Sequence, residues 1–112
     1  MSLPNRTWPD LIATAPVFAA LGDPTRLALV DRLSTAGALS IAGLTAGSPL
    51  TRQASTKHLH VLAGAGLVHD VRRGREHLWE PDPDKLRQAR RSLDQISRQW
   101  DDALARLKSF VE

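Results

Sequence analysis

Cysteine and tyrosine are absent from the 112 residues, and there are only one methionine and two phenylalanines. Without cysteine there can be no disulfide, thiolate nucleophile, thiol redox switch or thiolate metal site. No apolar run approaches the roughly 20 residues of a membrane span, and Met1 to Asp10 lacks the apolar core of a signal peptide. The expectation is a soluble, cytoplasmic protein with no membrane partner. There is also no Gly-rich phosphate loop, no Gly-x-Ser-x-Gly elbow and no carboxylate pair with a histidine at catalytic spacing, so neither an enzyme nor a cofactor is expected. A chain of this length makes one domain, without room for a separate sensing domain; any switch has to share the fold.

What is present is positive charge gathered in one place. The net charge is +3, yet Arg52 to Arg75 alone holds five basic residues against one acid, Asp70, leaving the remainder slightly acidic. All four histidines, His58, His60, His69 and His77, lie in or just beyond that stretch. Localised basicity of this kind is the electrostatic footprint of a nucleic-acid surface.

The same stretch has the layout of a helix running into a basic hairpin. Thr51 is a capping residue whose hydroxyl can accept an early backbone N–H, with Leu50 packing outside the cap, so a helix is predicted from about Arg52. Ala54, Val61 and Leu62, with His58 and Leu59 beside them, give a buried stripe. Arg52, Gln53, Ser55, Thr56, Lys57 and His60 are left to project outward. Arg and Gln can pair two-pronged with guanine and adenine edges, Ser and Thr can reach bases or phosphates, and Lys suits phosphate. Gly64 and Gly66 end the helix. Two alternating segments follow, Leu67 to Val71 and Glu76 to Glu80, turning at Gly74; Val71 and Leu78 are expected to face the core. Arg72, Arg73 and Arg75 crowd the tip, where like charges call for an anion such as a phosphate or a minor groove.

Upstream, residues 1–9 read as a loose arm. Asp10 can cap a segment with Leu11 and Ile12 that continues past Pro16 through Val17, Phe18 and Leu21 to Gly22. Asp23-Pro24 is a strong helix start, followed by Leu27, Val30 and Leu33. Ser40 caps a short helix with Ile41 and Leu44, which ends at Gly47-Ser48-Pro49. Two short helices joined by a few residues, the second polar on its outer face, make a helix-turn-helix, and Ser40 and Thr51 count among the candidate DNA contacts. Downstream, Pro81-Asp82-Pro83-Asp84 opens a last helix of about 82–111. Leu86, Ala89, Leu93, Ile96, Trp100, Ala103, Leu107 and Phe110 recur along it as a heptad seam. Such a rod, roughly 45 Å long at 1.5 Å per residue, exceeds what a small domain covers. These eight residues and Leu11 are therefore the candidate dimer interface, and a two-fold dimer would present two recognition helices to a palindromic site. The expected fold is mainly α with a β-hairpin wing, in the order α-α-α-α-β-β-α, with residues 10–112 as one winged helix-turn-helix domain.

Three alternatives follow from the same residues. His69 and His77 could meet across the hairpin and, with a carboxylate or a dimer mate, hold a metal, whereas His58 and His60 point too far apart on a helix to chelate one ion. A winged helix without DNA affinity could serve as a protein-interaction module. RNA binding lacks its stacking platforms, because Phe18, Phe110, Trp79 and Trp100 occupy core or interface positions.

The segments Phe18-Ala19-Ala20-Leu21-Gly22-Asp23-Pro24-Thr25-Arg26, Gln53 to Leu62, Ala65-Gly66-Leu67-Val68 and Gly74-Arg75-Glu76 together resemble the ArsR family of bacterial winged helix-turn-helix regulators. The likeness covers nearly the whole chain beyond the arm, and Trp100-Asp101 with Leu104, Leu107 and Lys108 resembles a subgroup of small members without cysteine ligands. The resemblance implies a homodimer that binds an operator near its own promoter, usually as a repressor, with Arg52, Gln53, Ser55, Thr56, Lys57 and His58 matching the recognition-helix segment. Metal-sensing members carry a Cys-x-Cys type site, or histidine and acidic ligands on the last helix; here cysteine is absent and the last helix has no histidine. Asp94, Asp101 and Asp102 remain there, but carboxylates alone are poor ligands for zinc or nickel. They are expected to be solvated or paired with Arg90, Arg98 and Arg106. The operator, the regulated genes and any effector are not legible.

Overall fold

The computed structural model describes the backbone of residues 8–111 and the side chains of residues 9–111. Its elements are α1 (Trp8–Leu21), α2 (Pro24–Ala36), α3 (Ile41–Thr45), α4 (Arg52–Gly64), β1 (Val68–Arg73), β2 (Glu76–Pro81) and α5 (Pro83–Val111), the winged helix-turn-helix order. Residues 1–7 of the expected arm lie outside the described residues, while Trp8 and Pro9 already belong to α1. Among the described residues no helix is long and apolar enough to cross a membrane.

Local chemistry sets most boundaries. Asp23 caps α2, its Oδ2 accepting the Arg26 N–H at 3.0 Å, with Pro24 in the first turn. Ser40 and Thr51 cap α3 and α4 in the same way, accepting from Gly43 and Ala54, each at 3.1 Å. At the end of α4, Gly66 takes φ +80°, and the Leu67 N–H returns to the Leu62 carbonyl at 3.0 Å. A Cβ there would also sit 2.9 Å from the Lys85 side chain, so glycine is required twice over.

The core gathers where α1, α2, α4 and the hairpin meet, with Leu33, Leu59 and Leu62 fully buried among Val17, Ala20, Leu29, Val30, Leu44, Leu67, Val68, Trp79 and Ala89. The helix faces match expectation at Val30, Leu33, Leu59 and Leu62 and depart from it at a few positions. In α2 the buried set is Leu29, Val30 and Leu33, and Leu27 is exposed; in α4 it is Ser55, Leu59 and Leu62, and Val61 is exposed. The hairpin pairs Arg73 with Glu76 and Val68 with Pro81. Gly74 occupies the first of the two turn positions at φ +63°, which an L side chain takes poorly. Val68 and Trp79 face the helices, Trp79 in keeping with its reading as a core or interface residue, while Val71 and Leu78, expected to face the core, are only partly covered on the other face. The large indole wins the buried side because it offers more apolar area than either aliphatic residue. The Trp79 backbone exchanges two hydrogen bonds with Leu39, at 2.8 and 3.0 Å, which ties the wing to the residue before the α3 cap.

The first half of α5 packs on α1. Ala89 and Ser92 are buried there, as is Thr14, whose Oγ1 donates to the Asp10 carbonyl at 2.7 Å. Ala89 therefore leaves the expected dimer seam: it fills the contact with its own α1, where a small residue lets two helices approach. The exposed apolar stripe instead runs through Leu86, Leu93, Trp100, Leu104, Leu107, Phe110 and Val111. Ala103 is exposed beside it, Ile96 and Leu11 are half-buried, and Ile12 of α1 is exposed. Of the expected pairs between acids and arginines on this helix, Arg90 and Asp94 approach to 3.9 Å.

Candidate nucleic-acid interface

The outer face of α4 presents Arg52, Gln53 and Lys57 to solvent, with Thr56 half-buried among them and its Oγ1 donating to the Arg52 carbonyl at 2.7 Å. The side chains of Arg52 and Lys57 form no ion pair or hydrogen bond among the described residues, so both charges are available to an external anion. Ser40 and Thr51 spend a lone pair on capping and keep an O–H to donate. α3 packs directly on α4, as the supporting helix of a helix-turn-helix does.

Ser55, read as outward-facing, and His58, placed in the buried stripe by its spacing but matched to the recognition-helix segment by the resemblance, are both off this face. Ser55 is fully buried, in line with Leu59 and Leu62, and its Oγ has no hydrogen-bond partner among the described residues. It cannot touch a base. Replacing Ser55 by Ala removes an unsatisfied buried hydroxyl, so stability by urea melt should stay within about 1 kcal/mol of the parent, on the stabilising side, and DNA affinity should not change. A folded Ser55→Ala protein with much weaker binding would return Ser55 to the reading surface.

His58 also turns inward. Its Nδ1 lies 3.5 Å from an Arg26 guanidinium nitrogen and 4.0 Å from Asp23 Oδ2. Arg26 in turn donates from Nε to the Ala20 carbonyl at 2.7 Å and from Nη2 to the Ala19 carbonyl at 3.4 Å, closing the end of α1. One guanidinium thus joins α1, the start of α2 and the recognition helix. The Asp23 carboxyl is held below the usual carboxylate range, first by the Arg26 backbone N–H and then by the charges of Arg26 and His58. Sequence reading missed this node because its three members are up to 35 positions apart; only the capping role of Asp23 was local enough to see.

On the wing, Arg72 and Arg75 are exposed and unpaired among the described residues, whereas Arg73 donates from Nη2 to Glu80 Oε1 at 2.6 Å. His69 lies 3.6 Å from the same carboxylate. His69 and His77 do not meet: His69 is paired across the hairpin with Glu80 and His77 with Arg72, an odd offset that puts the two imidazoles on opposite faces. The proposed metal pair is therefore not formed, and among the described residues no group of three or more His, Cys, Asp or Glu is placed to hold a metal ion. His60, exposed on α4, meets the Trp79 ring edge-on at 5.7 Å, and His77 lies 5.6 Å from the same indole. His77 Nε2 and Asp70 Oδ2 are 3.0 Å apart.

Residues 21–71, which span α2, α3, α4 and most of β1, match a family described as a helix-turn-helix domain. The HTH-type transcriptional regulator Rv2034 of Mycobacterium tuberculosis is 34% identical over 109 residues, covering 97% of this chain and 89% of its own. Among solved structures, an ArsR-like transcriptional regulator from Rhodococcus sp. RHA1 superposes with a TM-score of 0.76 at 36% identity, over 91% of this chain and 95% of that one. The homodimeric winged helix-turn-helix DNA-binding domain Mb0332 from Mycobacterium bovis shares the fold at a TM-score of 0.64 and 22% identity, over 88% and 90% of the two chains.

Proposed function

Since the chain belongs to the ArsR family of winged helix-turn-helix transcriptional regulators, we propose that it acts as a homodimeric, sequence-specific binder of double-stranded DNA that represses its own or a neighbouring operon in the cytoplasm. It works as a binding protein, not an enzyme, and without cysteine-based metal sensing. The observation that carries this reading is the set of unpaired Arg52, Lys57, Arg72 and Arg75 arrayed on the outer face of α4 and the tip of the adjoining wing, with Gln53 among them. Arg52 and Gln53 enter the major groove and read base edges, Thr56 and Lys57 contact bases or phosphate, and the wing arginines hold the flanking backbone or minor groove. The dimer is supported by the apolar stripe left open on α5 and by the homodimeric relative from M. bovis. Two copies related by a two-fold axis would read a palindromic operator.

Gln53 supplies the test. In a selection from randomised duplexes, Gln53→Ala should lose preference at one position of each half-site, with about 1–3 kcal/mol less discrimination there, and keep its preference elsewhere. Equal weakening on every sequence would count against a reading role for this residue.

A further inference from the structure

Where the recognition helix meets the wing, histidines from both pack on Trp79, and the surface they form is the cleft between the two elements. The Trp79 indole is buried, and its backbone is held both by its hairpin partner Asp70 and by the two hydrogen bonds to Leu39. On it sit His60, from the exposed side of α4, and His77, from β2. Asp70 and Arg72 of β1 share the hairpin face of Trp79 and His77, being their cross-strand partners. Lys57 lies one turn before His60 on α4. The remaining charged groups of the strands, His69, Arg73, Glu76 and Glu80, lie on the opposite face, where Glu80 pairs with both His69 and Arg73.

We propose that this cleft seats a DNA backbone phosphate and that His60 and His77 take up protons as it does so. The inference rests on the DNA-binding reading, because a helix in the major groove beside a wing on the flanking backbone brings the cleft between them against the phosphates that separate the two. The charges of the cleft favour this coupling. With both imidazoles neutral, Arg72 and Asp70 cancel; with both protonated, the face carries two positive charges. Asp70 stays ionised, since its carboxyl is held below the usual range first by the hydrogen bond from His77 and further by the charges of His77 and His60. A phosphate arriving beside that carboxylate is repelled less when the adjacent imidazoles are cationic, so binding favours their protonated forms. Imidazole is the side chain whose charge ordinarily changes between about pH 5 and 8.

The test is fluorescence anisotropy with a labelled duplex from the region upstream of the gene, between about pH 6 and pH 8.5 at constant ionic strength. Affinity should fall as pH rises, by up to roughly tenfold per pH unit for each proton taken up. His60→Gln and His77→Gln should each flatten that slope; His69→Gln, on the opposite face, should keep it. Both cleft histidines are exposed, so these variants should remain folded. Tight binding with no pH dependence, or a slope unchanged in His60→Gln and His77→Gln, would overturn the inference while leaving the DNA-binding reading in place. Absence of binding at every pH would overturn both.

Discussion

Aspartates at Leu93 and Trp100 together are expected to turn the proposed dimer into a folded monomer and to cut operator affinity by about two to four orders of magnitude. Within one chain these side chains are 53% and 69% exposed, so the domain does not depend on them for its own core. They belong to the stripe that continues through Leu104, Leu107 and Val111, beyond the half of α5 that packs on α1. An apolar surface of this length marks an interaction site. Fully burying a Leu-sized side chain is worth about 1.5–3 kcal/mol, and a two-fold axis would use each residue twice. In the double variant, carboxylates would face apolar surface and their own symmetry mates, a desolvation that no partner charge offsets. Light scattering should give a monomer mass with unchanged far-ultraviolet circular dichroism, and binding to an isolated half-site should survive. A dimer mass would remove this stripe from the interface; loss of helicity would mean that the two residues serve the fold of their own chain.

The wing arginines should separate by their partners. Replacing both Arg72 and Arg75 by Ala should lower the slope of log affinity against log salt by nearly two, since each phosphate contact contributes about 0.9. At moderate salt this corresponds to roughly ten- to a hundredfold weaker binding, uniform across sequences. Arg73→Ala should change the slope much less, because its guanidinium already lies 2.6 Å from Glu80. That difference comes from the structure alone; in the sequence the three arginines at the tip are equivalent. Equal slopes for Arg73→Ala and Arg72→Ala would show that the Glu80 pair opens when DNA arrives.

Features set by side-chain to backbone bonds a few residues apart were legible in the sequence. The caps at Asp23, Ser40 and Thr51, the glycine turn at Gly74 and the proline start of α5 all form where expected, because each depends on residues within about four positions. Element order followed from those signals. Helix faces followed only in part. Residues 55, 59 and 62 share a face as well as any set beginning at Ala54, and reading serine as a surface residue hid Ser55, which is small enough to fill a closely packed position. The same ambiguity of period misplaced Leu27 and Val61.

Long-range contacts were further out of reach. The seam on α5 was read as one continuous stripe, but a small residue in a heptad fits a close contact within the chain as readily as a dimer contact, and α1 takes Ala89. The Leu39 to Trp79 bridge involves single residues and leaves no periodic trace. Strand register likewise decided His69 and His77: a pairing offset by one would have put both imidazoles on one face, and the position of the buried Trp79 excludes it.

Sequence-selective DNA binding by this surface is the property to measure first. Purified protein should be titrated by fluorescence anisotropy onto the duplex upstream of its own gene and onto a shuffled duplex of the same composition, at several salt concentrations. Tight binding to the first, at least about a thousandfold weaker binding to the second, and a steep loss of affinity with salt are the predicted result. Failure to bind either duplex at low salt would contradict it.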